Sequence, residues 1–406
     1  MVGVSTGAAL KDTVPSGEGF DYATIGQVRT DKVEVVVFEL DGSTVFPVAT
    51  QAGYIVDGWT DGTNVYYSFN SAELDGKTLK PNVIELNEIE VTPENFAEKL
   101  AAAKAGDVFK LAAGTYGAFE VTVNYVTIVG PNAGKAGYAA DRVAEAEING
   151  AITVSANYFT LDGVKLVSDA HVAISGNYFT AKNINSVTSK TVAPEGVNRA
   201  AVFHTTGAVS DVVLTNNYVN IGASTYCKGV WSSNAYVTNV KFEGNYFTHT
   251  STSQSSISDC IAMYNVAGTL EFIGNTYEWV TDDWDMMIGT YGNKCTLINV
   301  IDNTFKGTGD LYTCGFYVRN FSGECNVIHN TFEYLAGTIF NSNSSANGTF
   351  NIKYNIFEKT AYKGSGTGTY NYEGNFYGVE PKTETADKGV ITSVEALEAA
   401  YAEFLK

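Results

Sequence analysis

The sequence predicts an all-β solenoid, in which short parallel strands wind into stacked coils. Three observations predict it. Asn followed within two places by an aromatic residue recurs along the chain, as in "GNYF" at 244–247, "GNTY" at 274–277, "DNTF" at 302–305 and "HNTF" at 329–332. The asparagines fall at 217, 245, 275, 303, 330, 355 and 375, so the intervals are 28, 30, 28, 27, 25 and 20 residues. A period in the twenties with strand patterning marks stacked units, each burying its apolar face on its neighbours. Composition agrees: Gly is high at 40, Pro is low at 7, and Tyr (25) and Phe (22) are abundant. That mixture suits many short strands punctuated by turns. The leucine-rich template is absent, and strand-length apolar runs exclude helical repeats. A parallel β-helix remains.

The elements follow in chain order. Residues 1–30 are rich in Gly, Ser and Thr and predict an extended arm or linker. Residues 31–88 predict a small β module: "KVEVVVFELDG" (32–42) is a strand and turn, and "AGYIVDGWTDGTNVYYSF" (52–69) holds two β runs broken by Asp-Gly pairs. Trp59 and Tyr54 are its expected core. The stretches "VVVFELDGSTVFP" (35–47), "GYIVDGW" (53–59) and "DGKTLKPNV" (75–83) resemble the Listeria–Bacteroides repeat, also called the internalin B-repeat. That resemblance implies a β-grasp-like spacer or adhesive unit of a surface protein.

The β-helix is expected over 91–380. "VTPENFAEKLAAAKAGD" (91–107) predicts a helix with Thr92 as N-cap, Pro93 at N1, and Phe96, Leu100 and Ala103 on one face. "DVFKLAAGTYGAFEVTVNYVTIVG" (107–130) then supplies short strands and glycine turns. A capping helix followed by this strand order resembles the entry to the right-handed β-helices of the pectate-lyase-like group, which implies a right-handed coil. Further on, "YFTLDG" (158–163) and "YFTAKN" (178–183) put Gly163 and Asn183 in the register of the recurring Asn. In each coil the Asn is expected to turn the chain in the left-handed conformation, with its amide bonded to those above and below. The aromatic that follows (Tyr277, Phe305, Phe332, Phe357, Tyr377) is expected to fill the coil. The motif is therefore scaffold, since an amide is a poor acid or base near neutral pH.

An earlier strand of each coil reads "AVFHTT" (201–206), "GVWSSN" (229–234), "CIAMYN" (260–265), "DMMIGT" (285–290), "GFYVRN" (315–320) and "TIFNSN" (338–343). Period two places Val202, Val230, Ile261, Met287, Phe316 and Ile339 inside, and Phe203, Trp231, Ala262, Ile288, Tyr317 and Phe340 outside. "TSVEALEAAYAEFLK" (392–406), within a closing segment 381–406, predicts a terminal helix over the last coil. Thr392 and Glu395 form its capping box, and Leu397, Tyr401 and Phe404 its stripe.

Charge and motif content exclude several functions. The net charge of −19 opposes nucleic acid and anionic membrane surfaces. No apolar run reaches the length of a transmembrane helix, so no membrane insertion is expected. The start has no charged region followed by an apolar one, as a secretory signal would. The five cysteines (227, 260, 295, 314, 325) form no CxxC and are expected as buried small apolar residues. The four histidines (171, 204, 249, 329) show no metal spacing, and phosphate loops and dinucleotide fingerprints are absent.

Two places could carry function. The outward column Phe203, Trp231, Tyr317 and Phe340 suits sugar rings or a protein interface such as a homotrimer contact; long loops covering it are the plainer alternative. The acidic turn "TDDWDMM" (281–287) is flanked by Trp279 and Trp284 and offers Asp282, Asp283 and Asp285 as oxygen ligands suited to calcium, although no spaced ligand pattern appears and a solvated turn is the plainer reading. The pectate-lyase-like resemblance implies a basic residue acting beside a uronate carboxylate, for which Arg319 is the one arginine on a repeat strand. A hydrolase would need paired carboxylates, for which Asp259 and Asp285 are the candidates. The function expected first is a glycan-binding structural or adhesive protein, such as a virion fibre or cell-surface adhesin with an attachment partner, located outside the cell. The alternative is a polysaccharide lyase or glycoside hydrolase.

Overall fold

The computed structural model describes residues 53–67, 80–188, 201–221, 228–232, 236–249, 260–279, 286–291, 294–308, 314–335, 337–342, 347–360, 364–378 and 387–406, with a two-residue pairing of Asp21–Tyr22 on Ala49–Thr50. Two compact units are present: 1–89 with 104–108, and 90–103 with 109–406. In the first, Tyr54–Thr60 pairs antiparallel with Val65–Tyr66 and with Lys80–Glu85. Trp59 and Tyr66 are buried there, and Tyr54 is half-buried.

The second unit is a parallel β-helix with three long sheets. Among the described residues sheet A has twelve strands, sheet B eleven and sheet C ten, and the chain visits A, B and C in turn. In one coil these strands are Val237–Glu243, Tyr246–His249 and Ile261–Tyr264. Each pairs in parallel with its counterpart in the next coil. The inner faces are apolar because period two sends alternate side chains inward: Val240 and Phe242 from sheet A, Phe247 from sheet B, Val230 and Ile261 from sheet C.

The recurring asparagines form one continuous amide ladder. Asn217, Asn245, Asn275, Asn303, Asn330 and Asn355 each donate Nδ2–H to Oδ1 of the next Asn, at 2.9–3.0 Å. The same Oδ1 accepts the preceding backbone N–H, as from Asn275 to Asn303 at 2.9 Å. The first acceptor serves the Ile184 N–H, and the last donor meets the Asp387 carboxylate, both at 2.9 Å. All seven asparagines are buried. The left-handed turn, however, belongs to the residue before each: Asn216, Gly244, Gly274, Asp302, His329, Tyr354 and Gly374 have φ of 55–65°. Gly163 and Asn183 belong to this left-handed column, one residue from the expected register. The division of labour is physical: the ladder Asn must aim its amide inward, so its neighbour makes the bend.

Inside, Phe247, Tyr277, Phe305, Phe332, Phe357 and Tyr377 stack face to face, with successive centroids 4.9–5.5 Å apart. The first helix, α1, covers Phe96–Ala101, shorter than expected, and its N-cap is Asn95. Asn95 accepts the Thr92 N–H, so Thr92–Pro93–Glu94 form a turn ahead of the helix. Phe96 then packs edge-on against Phe109, Tyr116 and Phe119.

The terminal helix, α2, is Val394–Phe404, capped by Ser393, whose hydroxyl accepts the Ala396 N–H. Segment 387–391 pairs with the last coil through Glu373–Lys388 and Phe376–Ile391 bridges. The helix itself lies against the left-handed turn column: Tyr401 stacks on His329 at 3.8 Å, and Phe404 packs on Tyr354. Leu397 and Tyr401 are buried, whereas Phe404 is exposed. Cys260, Cys295 and Cys325 are buried, as expected of small apolar residues, and burial raises the Cys295 thiol to about 12.

Candidate functional site

Sheet C positions the site. Its cross-coil register runs Val172, Phe203, Val230, Ile261, Ile288, Phe316, Ile339. Phe203 and Ile288 therefore face inward, contrary to the sequence expectation, and both are fully buried. Val202 and Met287 sit one place earlier than the inner column to which they were assigned. The cause of the slip is visible: all five residues of Ala201–Thr205 are buried. With both faces covered, the strand carries no apolar–polar alternation to fix its phase.

The next register column is His204, Trp231, Ala262, Gly289, Tyr317 and Phe340. Trp231 and Tyr317 are thus in one column, as expected, and Phe340 shares their register. The Phe340 side chain lies outside the described residues. Between Trp231 and Tyr317 the column has only Ala262 and Gly289, and two tyrosines occupy that space. Tyr264 and Tyr291 pair in register two residues further along the strands. Tyr291 leans back over Gly289: a Cβ there would lie 2.8–3.1 Å from the Tyr291 Oη, Cε2 and Cζ. Tyr264 and Tyr291 likewise pack on the cluster of Ala201, Trp231 and Ala262.

The result is one aromatic row along the solenoid. Trp231 meets Tyr264 edge to face at 6.5 Å, Tyr264 stacks on Tyr291 at 4.6 Å, and Tyr291 meets Tyr317 at 5.3 Å. The three tyrosines are half-buried, and Trp231 is 9% exposed with an indole N–H that has no hydrogen-bond partner among the described residues. Ser232 fixes the row from below, its hydroxyl donating to the Tyr264 carbonyl at 2.8 Å and accepting the Tyr264 N–H at 2.5 Å. Arg319 is exposed at the end of the Tyr317 strand, one coil beyond Tyr291. The sequence pattern did not single out Tyr264 and Tyr291. Their signal was the pair of small residues, Ala262 and Gly289, each two places before a tyrosine.

Trp279 does not join this row. It is 2% exposed and stacks on His249 at 5.0 Å inside the coil. Period two announced this, since Tyr277 points inward and Trp279 follows it by two. The His249 ring nitrogens, the Trp279 indole nitrogen and the Tyr277 hydroxyl are buried without hydrogen-bond partners among the described residues. Burial, and then the nearby charge of buried Lys228, lower the His249 pKa to about 4. A fully buried imidazole of that pKa is neutral near pH 7 and out of reach of a substrate. Among the described residues, no group of three or more His, Cys, Asp or Glu side chains is placed to hold a metal ion. Asp259, Asp282, Asp283, Trp284 and Asp285 lie outside the described residues.

No family model matches the chain, and no curated protein matches its sequence. Solved structures similar to it include pectate lyase Pel9A (TM-score 0.40, 14% identity, covering 76% of this chain and 82% of that one). The catalytic unit of a thermostable α-1,3-glucanase from Streptomyces thermodiastaticus is similar at TM-score 0.38 and 12% identity, covering 79% and 75%. A pectin methylesterase from Aspergillus niger matches at TM-score 0.33 and 7% identity, covering 75% and 91%. At these scores and identities the similarities carry no argument about chemistry. Among the described residues, no helix is long and apolar enough to cross a membrane.

Proposed function

We propose that this protein is a surface-exposed, glycan-binding β-helix. The observation that carries the reading is the aromatic row Trp231–Tyr264–Tyr291–Tyr317, held rigid across four coils on the outside of sheet C. Aromatic side chains with polar tips, set on a rigid surface, suit the mixed C–H and hydroxyl character of sugars. The net charge of −19 repels polyanions and favours neutral glycans. In this reading the protein works outside the cell, as a cell-surface adhesin or virion fibre. Residues 1–30 are an arm, 31–88 a spacer of the B-repeat kind, 91–380 the binding rod and 381–406 its closing segment. A homotrimer through lateral contacts is part of the same proposal, and a single 43.5 kDa species in solution would remove it.

The test is a glycan array with the wild-type chain and Trp231→Ala. Loss of about tenfold in affinity is expected, on the scale of one aromatic contact. Unchanged binding in the variant sinks the row as the site. The enzymatic alternative rests on Arg319, exposed beside the row. Incubation with uronate polysaccharides and calcium, followed by absorbance of the unsaturated product, decides it: a rise that disappears in Arg319→Ala would establish a lyase.

A further inference from the structure

A second aromatic column lies at another corner of the solenoid, where sheet C turns into sheet A. Tyr125, Tyr158 and Tyr178 occupy equivalent places in three successive coils. Their rings stack nearly parallel, with centroids 4.4 and 4.2 Å apart and planes within 9° and 3°. Each follows an asparagine, and Asn124, Asn157 and Asn177 form a second side-chain ladder by accepting the N–H of Asn157, Asn177 and Ser210 at 2.8–2.9 Å.

Two features separate this column from scaffold. All three tyrosines are in the left-handed region, with φ of 61°, 57° and 56°. That conformation is costly for a bulky L-residue and cheap for Gly, Asn and Asp. The next three coils place Asp211, Asn239 and Gly268 at the same position, with φ of 58°, 55° and 69°. The turn therefore does not need tyrosine. The column is also open: Tyr158 is 40% and Tyr178 45% exposed, so burial offsets the strain far less than it would inside the coil. Strained, exposed side chains that the fold does not require are a mark of ligand contacts.

We infer that Tyr125, Tyr158 and Tyr178 form a second glycan-contact strip, which takes a neutral polysaccharide lying along the solenoid axis. The strip presents ring edges and phenol hydroxyls at the spacing of the coils. Asp211 and Asn239, linked by a 3.2 Å hydrogen bond, continue it with planar polar groups of the kind that hold sugar hydroxyls. The net charge favours an uncharged polymer. The inference rests on the glycan-binding reading but on different residues, so the two fail separately.

The experiment is affinity electrophoresis through gels containing hydroxyethylcellulose, soluble starch or a soluble mixed-linkage glucan. The chains are wild type, Trp231→Ala and the triple variant Tyr125→Asn, Tyr158→Asn, Tyr178→Asn. Asparagine is at home in the left-handed turn, so the triple variant is expected to melt at or above the wild-type temperature while its affinity falls at least tenfold. Wild-type retardation in a folded triple variant overturns the strip, as does a triple variant that fails to fold, since scaffolding then explains the column. Loss of binding in the triple variant with Trp231→Ala unaffected supports the strip and removes the sheet C row. Absence of wild-type retardation in all three gels overturns the strip.

Discussion

The interior and exterior aromatic ladders repeat at the same coil spacing yet are built by different rules. Inside, one aromatic per coil sits at one register position, from Phe247 to Tyr377, each stacked on the next. Outside sheet C, the row draws on two register columns, because Tyr264 and Tyr291 lean across Ala262 and Gly289 into the space between Trp231 and Tyr317. The interior ladder is dictated by close packing, which leaves one way to fill each coil. The exterior row depends on what its neighbours leave empty. Stability should therefore reside in the first and recognition in the second.

The largest expected effect breaks the interior. Asn303→Ala removes the acceptor of the Asn275 N–H and Nδ2–H and the donors to the Phe272 and Asn330 oxygens. Leaving several buried groups unpaired should cost about 4 kcal/mol, read as a lower urea midpoint. Glycan affinity of the folded fraction should be unchanged; a loss of affinity at unchanged stability would reverse the comparison.

A smaller interior effect is set by pH. His249 has a folded pKa of about 4, below its ordinary value of 6.5. The unfolded chain therefore binds the proton first, and stability rises with pH between these values. The contribution is complete above about 6.5 and is lost as pH falls toward about 4. Its size is about 3 kcal/mol. The difference between wild type and His249→Leu in urea midpoints, measured from pH 7.5 down to about 4, isolates it from the carboxylates. Parallel curves would refute the buried neutral imidazole.

The smallest effect on stability sharpens the exterior. Gly289→Ala places a methyl group 2.8 Å from the Tyr291 hydroxyl and must tilt that half-buried ring. Stability should fall by about 1 kcal/mol, while glycan affinity drops about tenfold. Equal affinity would show that the Tyr264–Tyr291 stack is not part of the binding surface.

How much was legible follows from the same contrast. The Asn-plus-aromatic period announced the coils, because an inward amide and an inward ring must recur once per turn. It misplaced the left-handed residue by one, since the sequence alone does not show whether an Asn bends the chain or hydrogen-bonds within it. Ala201–Thr205 and Met286–Tyr291 slipped by one, taking Phe203 and Ile288 inward, because a strand apolar on both faces offers no alternation to fix its phase.

The sequence by itself determined the solenoid, its period, its interior stack and the polar ladder, because each is a one-dimensional repeat imposed by coil geometry. Only the tertiary structure decided which residues make the outer row. Tyr264 and Tyr291 turned toward Trp231 across Ala262 and Gly289. Those choices depend on the volume left by small neighbours in adjacent coils, and that volume exists only once the coils are stacked.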